Sequence, residues 1–129
     1  AHQTAHLAEL VCSNSFRSDD MNNNAVGLLH AEMRQLKSLI MMSADKHKIP
    51  AGGALAVDRE EFSKSVHDNI ISHPLINLIN QEYTDLPDNS VKAIVATGPL
   101  TSIKLTQNII KSTNNKNFVF LHFWRKNVN

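Results

Sequence analysis

Ile49-Pro50-Ala51-Gly52-Gly53-Ala54-Leu55-Ala56-Val57-Asp58-Arg59 divides the chain into two differently patterned halves. From Pro50 to Val57 the side chains are small and apolar, so this backbone can pass close to other backbone or to a ligand before entering a helix. Asp58 followed by Glu61 three residues later reads as a capping box. Phe62, Val66 and Ile70 then recur at four-residue spacing, which predicts a helix over 59–72. Working back, Pro50 stops whatever helix precedes it. Val26, Leu29, Met33, Leu36 and Ile40 lie three or four apart, predicting one long helix over 24–48 that Asn24 or a neighbouring asparagine caps.

Working forward, Leu75-Ile76-Asn77-Leu78-Ile79 follows Pro74 and is rich enough in branched residues for a strand. A second strand is predicted at Val91-Lys92-Ala93-Ile94-Val95-Ala96-Thr97, mostly apolar as suits a strand covered on both faces and ended by Gly98 and Pro99. Thr101 or Ser102 can cap a further helix carrying Leu105, Ile109 and Ile110. Asn114, Asn115 and Asn117 break it before an aromatic strand over 118–124. Helices alternating with short apolar strands define an α/β fold with crossover connections, and there is no internal repeat or low-complexity tract.

The 129 residues suffice for one compact domain. A hydrophobic fraction of 42% against 19% charged residues is that of a globular rather than a disordered chain. Thirteen basic and twelve acidic side chains nearly cancel, so bulk charge does not draw the chain to nucleic acid or to an anionic membrane. No apolar run approaches bilayer thickness and the start AHQTAHLAEL lacks a signal core, so a cytoplasmic protein without membrane contact is expected. Cys12 is the single cysteine, which leaves a buried thiol, a reactive thiol or an intermolecular bridge. His2 and His6 lie four apart without a third ligand at a suitable spacing, so no metal site is expected. Arg17, Arg34 and Arg59 are candidate phosphate contacts, set against the commoner fate of an isolated arginine, solvated or paired on the surface.

Three stretches carry a family resemblance: Ala8-Glu9-Leu10-Val11-Cys12-Ser13-Asn14-Ser15, the Ile49 to Arg59 stretch quoted above, and Ile94-Val95-Ala96-Thr97-Gly98-Pro99-Leu100-Thr101. Together with Ala25-Val26-Gly27-Leu28-Leu29 and Glu32-Met33-Arg34, they resemble the methylenetetrahydrofolate-tRNA-(uracil-5-)-methyltransferases, the TrmFO family, over roughly the first nine-tenths of the chain. Similarity to the related glucose-inhibited division protein family centres on the Val-Asp-Arg and Ala-Thr-Gly segments. The resemblance implies a chemistry in which reduced nicotinamide nucleotide, NAD(P)H, reduces FAD. Methylenetetrahydrofolate then donates one carbon and the methyl ends on C5 of a T-loop uracil in tRNA.

The family's flavin-binding start carries a Gly-x-Gly-x-x-Gly turn and a strand ending in an acidic residue, neither of which occurs in these residues. The expected fold is therefore a partial Rossmann-like flavoprotein domain over 1–117, lacking its first strand, phosphate turn and helix, and the chain alone is expected not to hold FAD. From 118 to 129 the sequence departs from the family's continuation, and a truncation or frame change is expected to have produced this divergent tail. Two alternatives stand beside the methyltransferase: a truncated non-catalytic remnant, and one piece of a split enzyme completed by a complementary polypeptide.

By resemblance Cys12 is the candidate catalytic cysteine, either the covalent or the methylene-transfer one: C5 of uracil becomes nucleophilic once a thiolate adds at C6. The bare sequence favours a small buried thiol at that position instead. Ala96, Thr97 and Gly98 are the candidate cofactor-binding turn, with a plain strand-ending turn as the alternative. Gly52 and Gly53 invite ligand contact or tight packing, with packing the stronger reading.

Overall fold

A computed structural model describes residues 3–88, 90–98 and 101–114. The chain forms two units, Ala1–Leu78 and Ile79–Asn129. The first is built on a hairpin. Strands β2 (Lys48–Ile49) and β3 (Ala54–Val57) pair antiparallel, with Lys48 opposite Val57 and Ile49 opposite Ala56. The four residues between them turn through Gly52, whose φ of 60° is strained for a side chain with a Cβ. Strand β1 (Ser15–Ser18) pairs antiparallel with the other edge of β3, giving the order β1-β3-β2. Ser15 faces Ala56 and Ser18 faces Ala54, so β1 spends one residue more than its partner. Arg17, at φ 70°, lies within that bulge.

Three helices surround this sheet in the chain order: α1 (Ala25–Gln35), α2 (Leu39–Lys46) and α3 (Arg59–Ile71). Central strand β3 buries Leu55, Ala56 and Val57. Leu55 and Val57 join Met41 and Ala44 of α2 and Phe62 and Val66 of α3 in the core, with Leu10, Phe16, Met33 and Ile70 packed around it. Phe16 meets Phe62 edge-on with ring centres 5.3 Å apart, an arrangement that adds about 1 kcal/mol to the burial of the two rings.

Helix α3 follows the sequence reading closely. Asp58 caps it, accepting from the N–H groups of Glu60 and Glu61 at 3.0 Å each. The N–H of Asp58 donates to the His47 carbonyl, so the capping box is not reciprocal. The single helix expected over 24–48 is two helices. Asn24 caps α1 through the Val26 N–H as expected, but Lys37 adopts φ 55° and breaks the run. The N–H of Lys37 donates to the Arg34 carbonyl and that of Ser38 to the Met33 carbonyl, which is a Schellman ending with lysine where glycine is usual. Leu29 and Leu36, expected on the buried face, are 51% and 82% exposed, whereas Gly27 and His30 are buried.

Among the described residues of the second unit the regular element is α4 (Ile103–Thr113), capped by Ser102 through the Leu105 N–H and ended by Asn114 at φ 50°. Leu105 and Ile109 are buried, and Asn108 fastens the helix to the Thr84 carbonyl at 2.7 Å. The architecture is thus mixed α and β, but its strand pairs are antiparallel instead of being linked by parallel crossovers. The strands expected at 75–79 and 91–97 are not formed: both segments are exposed and join no ladder. Local β-propensity cannot make a strand without a neighbour to satisfy its backbone. The aromatic strand expected over 118–124, and Asn115, Asn117 and His2, lie outside the described residues.

Candidate functional site

Cys12 sits on the segment that leads into β1. Leu10 anchors one side of it against the core. On the other side, Asn14 clamps the segment to the end of β3: its Nδ2 donates to the Val57 carbonyl at 3.0 Å, and the Val57 N–H donates to the Asn14 carbonyl at 3.0 Å. Between these two fixed points Cys12 is exposed, contrary to the buried thiol that the bare sequence favours. A cavity of about 120 Å³ borders the preceding residues, lined by Gln3, Thr4, Glu9, Leu10, Val11, Arg59, Glu60 and Ser63. Glu9 Oε1 accepts from the N–H groups of Gln3 and Thr4 at 2.7 and 3.1 Å. Arg59 thereby lies near the Cys12 segment rather than standing alone on the surface.

Gly52 and Gly53 occupy the hairpin turn, at the opposite end of β3 from Cys12, since Gly53 precedes Ala54 while Asn14 is tied to Val57. Both are exposed, and a Cβ built on either meets nothing within 4 Å. The turn's positive φ accounts for Gly52, and the Gly53 carbonyl accepts from the Asp19 N–H at 2.9 Å, but neither Cβ position is tightly packed.

Ala96 and Thr97 line a cavity of about 570 Å³ within the second unit. Tyr83, Leu86, Pro87, Val91, Ile94, Val95 and Leu105 give it an apolar wall, and Gln81, Glu82, Thr101 and Ser102 supply polar atoms. Gly98 follows at φ 71°. The turn is held by a hydroxyl pair, Thr97 Oγ1 to Thr101 Oγ1 at 2.5 Å, with Thr101 donating to the Gly98 carbonyl at 2.7 Å. The cavity's volume is in the range of small-molecule sites. No lysine or arginine lines it, and its charged member is Glu82. Lacking a cation, it offers the pyrophosphate of a dinucleotide such as FAD only the N-terminus of α4, where Ser102 and Leu105 line it.

The most strongly interacting polar cluster was not singled out from the sequence. Asp19, just beyond β1, accepts from Arg34 Nη1 at 2.9 Å and Nη2 at 3.0 Å, from Lys48 Nζ at 3.3 Å and from His30 Nδ1 at 3.1 Å. A carboxylate only accepts, so His30 carries its proton on Nδ1. Arg34 also grips Asp45 of α2, through Nε at 2.8 Å and Nη2 at 2.6 Å. Burial pushes the Asp19 carboxyl up, but the hydrogen bonds from Arg34, His30 and Lys48 outweigh it and hold the group at about 2. The Arg34 guanidinium is raised by its bonds to Asp45 and Asp19. Arg34 is thus committed to internal pairs and is not a phosphate contact. Its spacing of four from His30 was the available signal, but the distant partners Asp19 and Asp45 leave no local trace. Arg17 is exposed. His6 stacks against His67 with ring centres 5.1 Å apart. Among the described residues, no group of three His, Cys, Asp or Glu side chains is placed to hold a metal ion. No helix among them is long and apolar enough to cross a membrane.

A mixed α/β frame agrees with what sequence comparison finds. The profile described as "Glucose inhibited division protein A" matches residues 1–117, and the chain belongs to that family. Within it, the chain is similar to proteins named methylenetetrahydrofolate–tRNA-(uracil-5-)-methyltransferase TrmFO, as its motifs indicated. The Bartonella henselae protein is 61% identical over 109 residues, covering 84% of this chain and 23% of that protein. The Bartonella bacilliformis protein is 61% identical over 109 residues, 84% of this chain and 24% of its own length. The Rhizobium etli protein is 56% identical over 121 residues, 93% of this chain and 25% of its own length. The chain spans about a quarter of the length of these curated relatives.

Proposed function

We propose that these residues contribute the cysteine-bearing part of a folate- and FAD-dependent enzyme that methylates C5 of a T-loop uracil in tRNA. The observation that carries the reading is Cys12, exposed between Leu10 in the core and Asn14 bonded to Val57. Its thiolate would add to C6 of the uracil, forming an S–C6 bond, and the C5–C6 π electrons would move onto C5 and the O4 carbonyl. C5 would then bond to the methylene carbon of methylenetetrahydrofolate as that carbon's bond to one folate nitrogen breaks. Loss of the C5 proton with cleavage of the remaining carbon–nitrogen bond would release tetrahydrofolate and leave an exocyclic methylene, and a hydride delivered to that methylene would expel the thiolate and restore the ring as 5-methyluracil. FAD reduced by NAD(P)H would supply the reducing equivalents that carry a methylene from methylenetetrahydrofolate to a methyl group. The chain's own part is to hold the sulfur on a rigid segment that a base can reach.

Residues 1–117 read as part of a Rossmann-like FAD-binding domain without its first strand, phosphate turn and first helix, and 118–129 as a divergent tail. Ala96, Thr97 and Gly98 are proposed to border the flavin's ring-bearing end, in keeping with the apolar cavity beside them. Gly52 and Gly53 are the weaker part of the assignment because their Cβ positions face open space. A second reading, that these residues act only together with the rest of the family's length or are inert without it, is favoured by a cavity without a lysine or arginine to meet a pyrophosphate.

An absorbance and fluorescence titration with FAD tests both readings. The chain alone should show no saturable binding, and mixing with the family's flavin-binding start should create it. Tight binding by the chain alone would overturn the assignment of a missing phosphate turn. No binding in the mixture would leave the inert reading as the better one.

A further inference from the structure

Where β1 leaves β3, a side chain stands in for the main chain. Ser15 lies opposite Ala56, so the next pair along the ladder is Asn14 and Val57. A regular antiparallel pair of this kind exchanges two main-chain bonds, one in each direction. The first is present, from the Val57 N–H to the Asn14 carbonyl at 3.0 Å. In the second, Asn14 Nδ2 and not the Asn14 N–H donates to the Val57 carbonyl, again at 3.0 Å. Beside it, Ser13 Oγ accepts from the Ser15 N–H at 3.1 Å and closes a local turn. With these side-chain bonds in place the main chain leaves the β3 edge at Asn14, and it bends at 11, 12 and 14. Cys12 is therefore exposed instead of running down that edge.

We propose that Asn14 is the positioning residue for Cys12: its carboxamide replaces its own main-chain N–H in the ladder and so holds the cysteine's segment off the sheet. Val57 is fully buried, so its carbonyl cannot turn to water when a donor is lost, and a buried carbonyl left unpaired is costly. Without the carboxamide, the donor in register with that carbonyl is the main-chain N–H of residue 14. Its swing onto Val57 would lengthen β1 by one residue and carry Ser13 and Cys12 along the β3 edge. A displacement of the sulfur by about 1 Å is enough to cost about 100-fold in a reaction that depends on alignment. Asn14 acts in this way only if Cys12 is the reacting thiol, as proposed above, whereas the exchange of a main-chain for a side-chain donor stands on the hydrogen bonds alone.

Amide exchange of the 129-residue chain, followed by nuclear magnetic resonance, should find the Val57 amide slow and the Asn14 amide fast. In Asn14→Ala the amide of residue 14 should slow by roughly tenfold or more as it enters the ladder. A slow Asn14 amide in the unaltered chain would overturn the donor exchange, and decides the matter should a variant not fold. Turnover is read in the Bartonella henselae relative carrying residues 1–117 of this chain in place of its matching ones. Asn14→Ala, and Asn14→Asp, which keeps the shape but has no N–H to give, should each lower kcat about 100-fold while KM for tRNA stays within about threefold. Asn24→Ala is the control: it also loses one asparagine hydrogen bond, from the Val26 N–H, and should keep kcat within about threefold of the parent. Asn14 variants that fold and turn over like the parent, while Cys12→Ala is inactive, would overturn the positioning role alone. Equal losses in Asn14→Ala and Asn24→Ala would show a general effect of stability and refute it too. A Cys12→Ala form as active as the parent would instead overturn the methyltransferase reading, and the positioning role with it, whatever the amide exchange shows.

Discussion

Replacing Asp19 by asparagine removes the one charge that three basic side chains from α1 and β2 share. The fall of its carboxyl from 3.8 to about 2 corresponds to roughly 2 kcal/mol of stability. The side chain is only 18% exposed, so solvent screens this little. Asparagine keeps the shape and one acceptor oxygen but leaves Arg34 paired with Asp45 alone and Lys48 without a counter-charge. The expected loss at neutral pH is therefore about 2 kcal/mol. The sign with pH follows from the two protonation equilibria. The unfolded carboxyl titrates at its ordinary value and the folded one lower, so the contribution is complete above the unfolded value and disappears as pH falls through about 2. Urea unfolding followed by circular dichroism at several pH values measures this directly. Wild type and Asp19→Asn should differ most near neutrality, converge between roughly pH 4 and pH 2, and coincide below that. A difference under about 0.5 kcal/mol at neutral pH, or one that persists unchanged in acid, would refute the assignment of Asp19 as the centre of the network.

Other substitutions test the frame. A Cβ at Gly27 would come within 2.2 Å of the Asp20 carbonyl oxygen, so Gly27→Ala should cost about 3 kcal/mol or prevent folding, measured by thermal denaturation. Lys37→Gly should raise stability by roughly 0.5–1 kcal/mol, because glycine holds the left-handed ending of α1 without strain. Asp58→Ala removes the acceptor for the Glu60 and Glu61 N–H groups and should cost about 1 kcal/mol in the same assay. Exposed Cys12 should react fully with a thiol reagent in the native protein, at a rate within about threefold of that in denaturant; protection until unfolding would show that it is buried.

What the sequence revealed was local. The Asp58 cap, the Phe62–Val66–Ile70 face and the Ser102 cap of α4 are each set by residues within a few positions of one another, and each is where the reading placed it. The break between α1 and α2 was invisible because its left-handed residue is Lys37, which carries none of glycine's signal. Strand β3 is only four residues long, and its Ala-Leu-Ala-Val pattern reads as a close-packing stretch until β1 and β2 flank it. Residues 91–97 show the opposite failure: the pattern is that of a strand, but a strand is completed by its neighbours. The exposure of Cys12 was not legible, because a lone cysteine reads as a small buried thiol, and the Asp19–Arg34–Asp45 network joins positions 11 and 15 apart and no local spacing announces it.

The proposed function has this stretch work as part of a uracil methyltransferase through Cys12. Its most direct test replaces the matching residues of the Bartonella henselae relative with residues 1–117 of this chain and measures transfer of labelled one-carbon units from methylenetetrahydrofolate to tRNA in the presence of FAD and NADPH. The chimera should methylate C5 of uracil, and its Cys12→Ala form should fold and bind flavin equally but lose at least 100-fold in rate. A folded, flavin-bound chimera that does not methylate, or one that is indifferent to the loss of Cys12, would contradict the account.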